Sequence, residues 1–191
     1  MNKTKRKIFE TSMELFAKKG YDATSVEEIT ATVGVAKGTL YYHFSSKEEI
    51  FNFLIEEGMK LLKNSIDIKT AKLTKASDKI KAIILIQIKV IVKYENLITI
   101  VLNQIWGNEQ RNKFCQQYIF EYVETIRKII EEGMKNGEIV KGDSEAIAIE
   151  IFGLTCSSLL YKLKTEKEID IQKLYNQYGN DIIKGLGINN K

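Results

Sequence analysis

An all-α fold, three short helices at the amino end followed by six longer ones, is what this sequence of 191 residues predicts. Three observations carry the prediction. The chain contains no proline, whereas ordinary usage near 5% would place roughly nine or ten in this length, and all-β folds rely on the tight turns that proline favours. Apolar residues return at spacings of three and four along most of the chain, the period of a helix with one buried side. The ends of those stretches carry stops and caps, with glycine after the last apolar residue and serine, threonine or aspartate before the first.

Taken in order, helix one is expected over about residues 2–19, with Ile8, Phe9, Met13, Leu15 and Phe16 on its apolar side. Lys18 and Lys19 suit the carboxyl end of its dipole, and Gly20 is the expected stop. Thr24-Ser25-Val26-Glu27-Glu28 is a capping box in two registers, so helix two begins near Ser25 and turns Val26, Ile29 and Val33 inward until Gly34. Helix three follows over about 36–44, and helix four from Ser45 or Ser46 to about Asn64. Residues 79–93 are apolar on most sides. Their eight β-branched residues would suit a strand, but their length and Lys81, Lys89 and Lys93 favour a deeply buried helix. Further helices are expected over about 95–106, over 109–135 ended by Asn136-Gly137, from the Asp143 cap to Lys164, and from Asp170 to Gly185.

A net charge of +4, from 29 basic and 25 acidic residues, is too small to mark a nucleic-acid binder, so the distribution decides. Lys3, Lys5, Arg6 and Lys7 precede the first acid, Glu10, and form either a source of non-specific phosphate contacts or a solvated terminus. The hydrophobic runs are broken by Lys, Gln or Glu before the roughly 18 residues a membrane span needs, so no membrane partner is expected. Glu10, Ser12, Glu14, Lys18 and Lys19 likewise interrupt any signal core. Cys115 and Cys156 form no C-x-x-C and read as free, buried thiols of a cytosolic protein. No second type of metal ligand clusters near the sole histidine, His43. Without a nucleophile–base pairing or a Gly-rich phosphate loop, the expectation is no catalytic residue, no metal and no cofactor.

The first three helices, with a glycine-containing turn between the second and third, have the arithmetic of a helix-turn-helix. Val26, Ile29, Val33, Val35, Leu40 and Phe44 can pack on Ile8, Leu15 and Phe16, which leaves Lys37, Gly38, Thr39, Tyr41, Tyr42 and His43 on a free polar face. A glycine inside a helix costs about 1 kcal/mol relative to alanine, and its return here is close approach of a partner. Phenol hydroxyls reach phosphate oxygens while the rings meet sugar or thymine methyls. No arginine lies on this face. Lys37 lacks the planar fork that reads guanine, so modest direct readout with a large backbone and shape contribution is expected.

The stretch Lys19-Gly20-Tyr21, Thr24-Ser25-Val26-Glu27-Glu28-Ile29, Gly34-Val35-Ala36-Lys37-Gly38-Thr39-Leu40-Tyr41-Tyr42-His43-Phe44 and Lys47-Glu48 resembles the DNA-binding region of the tetracycline-repressor (TetR) family of bacterial regulators, over about residues 5–55. The resemblance implies that Thr24 and Ser25 sit where a helix amino terminus suits a phosphate, and that Lys47 reaches a phosphate on the same backbone. It also implies that Lys37, Gly38 and Thr39 face the major-groove floor, while Tyr41, Tyr42 and His43 contact backbone and base methyls. Thr24 and Ser25 are equally caps with or without DNA. The family pattern usually has Ser at Ala36, whose absent hydroxyl alters what that end of the helix touches, and Ala at Thr30.

By the same resemblance, residues 1–46 form the DNA-binding domain and residues 47–191 a six-helix domain that binds an effector and dimerises. Tyr94, Asn103, Gln104, Trp106, Phe114, Tyr118, Tyr122, Glu150 and Phe152 combine aromatic and polar character and are the candidates for an effector pocket, although aromatic residues at helical spacing also serve a core. The last two helices offer the dimer surface, through Ile147, Ile151, Gly153, Leu154 and Ser158 and through Ile171, Leu174, Tyr178 and Ile182. The expected function is a cytoplasmic, ligand-responsive transcriptional regulator, a repressor that binds a palindromic operator as a homodimer and is released by a small molecule. The alternatives are an activator of the same fold, and a small-molecule-binding or enzymatic helical protein with a vestigial helix-turn-helix.

Overall fold

In the computed structural model, residues 2–185 are described, and among them the chain forms nine helices, counting the last run as one. Helix α1, Lys3–Lys19, is capped by the Asn2 side chain, which accepts from the Lys5 amide at 2.8 Å. Helix α2, Val26–Val33, begins at Ser25, whose hydroxyl accepts from the Glu28 amide at 3.0 Å, and ends at Gly34 with φ +78°, a left-handed turn that glycine adopts without strain. Helix α3, Lys37–His43, follows after three residues.

Helix α4, Lys47–Thr70, runs past the expected end at Asn64, because Ile66 still faces the core. Helix α5, Ala76–Lys93, starts before Lys79, with Ala76 and Ser77 already buried. Helix α6, Glu95–Asn103, stops short of Trp106, since residues 104 and 105 turn back to bond the Val101 and Leu102 carbonyls. Helix α7 spans Gln110–Lys135 and α8 Ser144–Thr165, the latter capped by Asp143 through the amides of Glu145 and Ala146. The final run is α9, Ile171–Leu174, a π turn over Tyr175–Gly179, and α10, Asn180–Gly185.

Two compact units result. One comprises the chain up to Lys60 together with Asn96–Gln117, and the other comprises Leu61–Glu95 together with the chain from Tyr118 on. In the first, Ile8, Phe16, Ile29, Leu40, Phe44, Ile50, Phe51 and Leu54 are fully buried, and the Phe16 ring lies 6.2 Å from Phe51 and 5.3 Å from Tyr21. This core clamps α2 and α3 onto α1 and fixes the outward face of α3.

In the second unit, Ile80, Ile83, Ile84, Ile88 and Ile91 of α5 share the core with Ile126 and Ile130 of α7 and with Ala148, Ile151 and Leu159 of α8. The buried polar group there is satisfied. Tyr122 Oη donates to Gln87 Oε1 at 2.9 Å, and Gln87 Nε2 donates to the Phe152 carbonyl at 3.1 Å and to Cys156 Sγ at 3.4 Å. Cys115 and Cys156 are free and buried, and burial pushes both thiols up to about 12.

Helix α8 departs from expectation. Between Ala146 and Tyr161 only Glu150 is charged, and although Glu150 interrupts the apolar run, this is, among the described residues, the helix long and apolar enough by length and composition to cross a membrane. Ala148, Ile151, Thr155, Cys156 and Leu159 turn inward, while Ile149, Gly153, Leu154, Ser157 and Tyr161 are exposed on the other side.

Candidate nucleic-acid interface

The face expected of α3 is present. Ala36, Lys37, Gly38, Tyr41 and Tyr42 are exposed, Tyr42 at 84%, while Leu40 and Phe44 anchor the helix from behind. Thr39 and His43 are half-buried at its edges, and the His43 ring meets Tyr42 edge-on at 5.0 Å. Ala36 caps α3 without a side-chain bond. A Cβ placed on Gly38 would meet nothing within 4 Å, so the fold itself does not require glycine there. The Lys37 ammonium pairs with the exposed Glu27 carboxylate, which that hydrogen bond holds below the usual carboxylate range. An anion replacing Glu27 finds Lys37 already directed between α2 and α3.

Three of the expected phosphate contacts are engaged inside the protein. Thr24 is buried at 1% exposure, its hydroxyl donating to the Gly20 carbonyl at 2.8 Å. Ser25, though exposed, accepts from Glu28 as the α2 cap. Lys47 donates to the Tyr21 carbonyl at 2.9 Å and the Thr24 carbonyl at 2.8 Å, and its burial pushes the ammonium below the ordinary lysine range. The basic amino-terminal block is likewise engaged in part. Lys5 lies 4.7 Å from the Phe44 ring centre, Arg6 pairs with Glu10, and Lys7 donates to the Val33 carbonyl at 3.3 Å. Their common effect is to hold the helix-turn-helix, with α3 left as the face open to a ligand.

Arg111, near the start of α7, escaped sequence reasoning. Its guanidinium lies 4.0 Å from the Tyr21 ring centre, which the Lys47 ammonium also meets at 4.2 Å, and donates to Asp22 at 3.3 Å and to Gln104 Oε1 at 3.0 Å. It also pairs with Glu109 at 3.1 Å. One arginine thus joins the α6–α7 loop to the α1–α2 loop. Asp22 is 89 positions away in sequence, and no local pattern signals such a pairing.

The candidate effector residues fall in both units. Asn103, Gln104, Trp106 and Phe114 belong to the first unit; Tyr94, Tyr118, Tyr122, Glu150 and Phe152 belong to the second. Trp106 is 90% exposed, and Asn103 and Glu150 are exposed. Gln104 accepts from Arg111 and Asn112, bracing its loop. Phe114 and Tyr118 are half-buried. Tyr122 is buried on Gln87, with the Phe152 ring 5.9 Å away. Tyr94 lines a groove between α4 and α5, beside lysines that the sequence reading placed on a buried helix.

The candidate dimer residues also divide. Ile151, Leu174 and Ile182 are buried in the protomer's own core. Gly153 and Leu154 are exposed, and Ile147, Ser158, Ile171 and Tyr178 are half-buried.

The chain matches the sequence profile of bacterial regulatory proteins of the tetR family over residues 8–54. A Clostridium perfringens protein, provisionally named a fatty acid metabolism regulator, is 33% identical and superposes with a TM-score of 0.87 over 96% of this chain and 100% of its own. The fatty acid metabolism regulator protein of Bacillus subtilis is 26% identical over 184 residues, 94% of this chain and 93% of that one. The structure of FadR from Bacillus subtilis in complex with stearoyl-CoA shares the fold, at 23% identity and a TM-score of 0.80 over 95% of this chain and 97% of that one. An uncharacterized HTH-type transcriptional regulator of Bacillus subtilis is 43% identical over 68 residues, 34% of this chain but 24% of its own length.

Proposed function

The chain belongs to the tetR family of bacterial regulatory proteins and is a transcriptional regulator, and from that premise we propose how it works. Two copies bind a palindromic operator, each laying α3 in the major groove, and repress transcription in the cytoplasm until a fatty acyl compound releases them. The protein acts by binding, not by catalysis. Residues 1–46 read the DNA, while residues 47–191 dimerise and take the effector.

The observation that carries the reading is the face of α3. It combines exposed Lys37, Tyr41 and Tyr42 with a glycine whose missing side chain points into open space. A helix of seven residues accepts the cost of Gly38, about 1 kcal/mol relative to alanine, without any packing need inside the protein. Base edges approached by the backbone supply that need. Lys37 exchanges Glu27 for a phosphate or a guanine edge, and Tyr41 and Tyr42 donate to phosphates. The half-buried Thr39 and His43 border the contact; Ser25 offers its exposed end of α2, and Thr24 and Lys47 support from within.

The dimer surface is the outer side of α8, where Ile149, Gly153, Leu154, Ser157 and Tyr161 follow at steps of four, one, three and four. A Cβ on Gly153 would meet nothing within 4 Å, so a partner helix can approach closely there. Two-fold pairing sets the half-sites one DNA turn, about 34–36 Å, or a multiple of it apart. The acyl effector follows the ligand of the FadR complex and the names of two relatives. It releases DNA to the extent that it binds the DNA-incompetent state more tightly.

Substitution of Lys37 and Tyr42 tests the contact assignment on duplexes selected by the wild type. Lys37→Ala should weaken binding and lower the salt slope by about 1, and Tyr42→Phe should weaken it by removing a phosphate donor. Unchanged affinity and sequence preference in both would contradict the assigned face.

A further inference from the structure

We propose that the groove between the end of α4 and the outer side of α5 holds an amphipathic anion, an aliphatic chain on its floor and an anionic head on three lysines. The site rests on the acyl-effector reading for its regulatory role, but its chemistry comes from its own lining.

The groove is about 490 Å³, within the roughly 300–1,000 Å³ of small-molecule sites. Leu61, Ser65, Ile68 and Lys69 line it from α4, at steps of four, three and one. Ala82, Leu85, Ile86, Lys89, Val90 and Lys93 line it from α5, all on one helical side, with Tyr94 at the end. The floor is therefore aliphatic, and every charge in the lining is positive. Lys69, Lys89 and Lys93 form no ion pair with a described residue, and Lys93 lies 5.2 Å from the Tyr94 ring centre. The lining contains no carboxylate. Other lysines of the same unit do find carboxylates, as Lys79 does with Glu132 at 3.0 Å and Lys164 with Glu95 at 2.8 Å.

An apolar trough with unpaired cations along it selects neither a neutral lipid nor a hydrophilic anion. The aliphatic floor contributes through area removed from water, and the ammonium groups contribute through attraction that salt screens. A fatty carboxylate and an acyl ester of a phosphorylated carrier share that chemistry, and they differ in the head.

The test is calorimetric titration of the purified full chain with dodecanoyl-coenzyme A, with dodecanoate and with coenzyme A, each at low and high salt. Tight binding of the ester alone assigns the head to phosphates, and binding of dodecanoate as well assigns it to any anion; both support the site. In either case Lys69→Gln/Lys89→Gln/Lys93→Gln should weaken the bound compound by at least about tenfold, with the triple arginine variant restoring it. The three lysines are exposed, so these variants keep the core intact. Shortening the chain should cost about fourfold per methylene in the wild type.

Equal affinity in the triple glutamine variant, or no binding of any compound to the wild type, would overturn the site. So would a shift in the dimer equilibrium of the triple variant with ligand affinity unmoved, which would give the groove to a second copy. Release of operator DNA by the ester from wild type and triple variant alike would remove the groove and leave the acyl-effector reading standing. Binding lost in the triple variant, with no release of DNA from the wild type, would do the reverse.

Discussion

Gly38 separates stability from function at a single residue. A methyl group there enters open space and improves helix propensity, so Gly38→Ala should raise unfolding stability by about 0.5–1 kcal/mol in denaturant titration. The same methyl group stands between α3 and the base edges, and operator affinity should fall by at least about fivefold. Glu27 acts in the opposite sense. Its carboxylate pairs with Lys37 in free protein and repels phosphate in the complex, so Glu27→Gln should strengthen DNA binding about two- to fivefold at low salt, the gain vanishing at high salt. The exposure of Tyr41 and Tyr42 was legible in the sequence, because Leu40 and Phe44 claim the buried side of a short helix. The engagement of Thr24 and Lys47 was not. Their roles depend on hydrogen bonds from Lys47 to carbonyls 26 and 23 positions back, and a motif carries no sign of which way a lysine turns.

At the scale of elements, caps and glycine stops located α1, α2, α3 and α8 closely, because those signals are local. The ends of α4, α5 and α6 shifted because tertiary burial at Ile66 and Ala76, and backbone bonds at residues 104 and 105, decided them. The π turn over Tyr175–Gly179 left no mark in the apolar spacing. Arg111 is the element-scale joint within the first unit. Arg111→Ala should lower stability by about 1–3 kcal/mol in denaturant titration, since Asp22, Glu109 and Gln104 lose their shared donor. Arg111→Lys should restore little of it, lacking the planar group that covers Tyr21. A loss confined below a few tenths of a kcal/mol would show the joint to be idle. The buried thiols give an independent check on the two cores. With Cys115 and Cys156 pushed up to about 12, neither should react with a disulfide reagent near pH 8 until the protein unfolds.

For the whole molecule, the outer side of α8 is an apolar surface that one protomer leaves open. Covering it with a second copy unites the run of apolar residues with the two-fold symmetry that a palindromic site requires. Leu154→Lys should shift the protein to monomer in sedimentation and abolish operator binding while α3 stays intact. The sequence pointed to the last two helices as the dimer surface and included Ile151, which is buried within the protomer, because a helix apolar all round does not reveal which face its own core takes. Selection of bound sequences from random duplex DNA by the purified protein, repeated at two salt concentrations, decides whether α3 reads sequence. The expected product is a palindrome whose half-sites lie one helical turn, or a multiple of it, apart. Salt-sensitive binding with no recovered motif would contradict it, leaving α3 a general phosphate contact and not a reader of sequence.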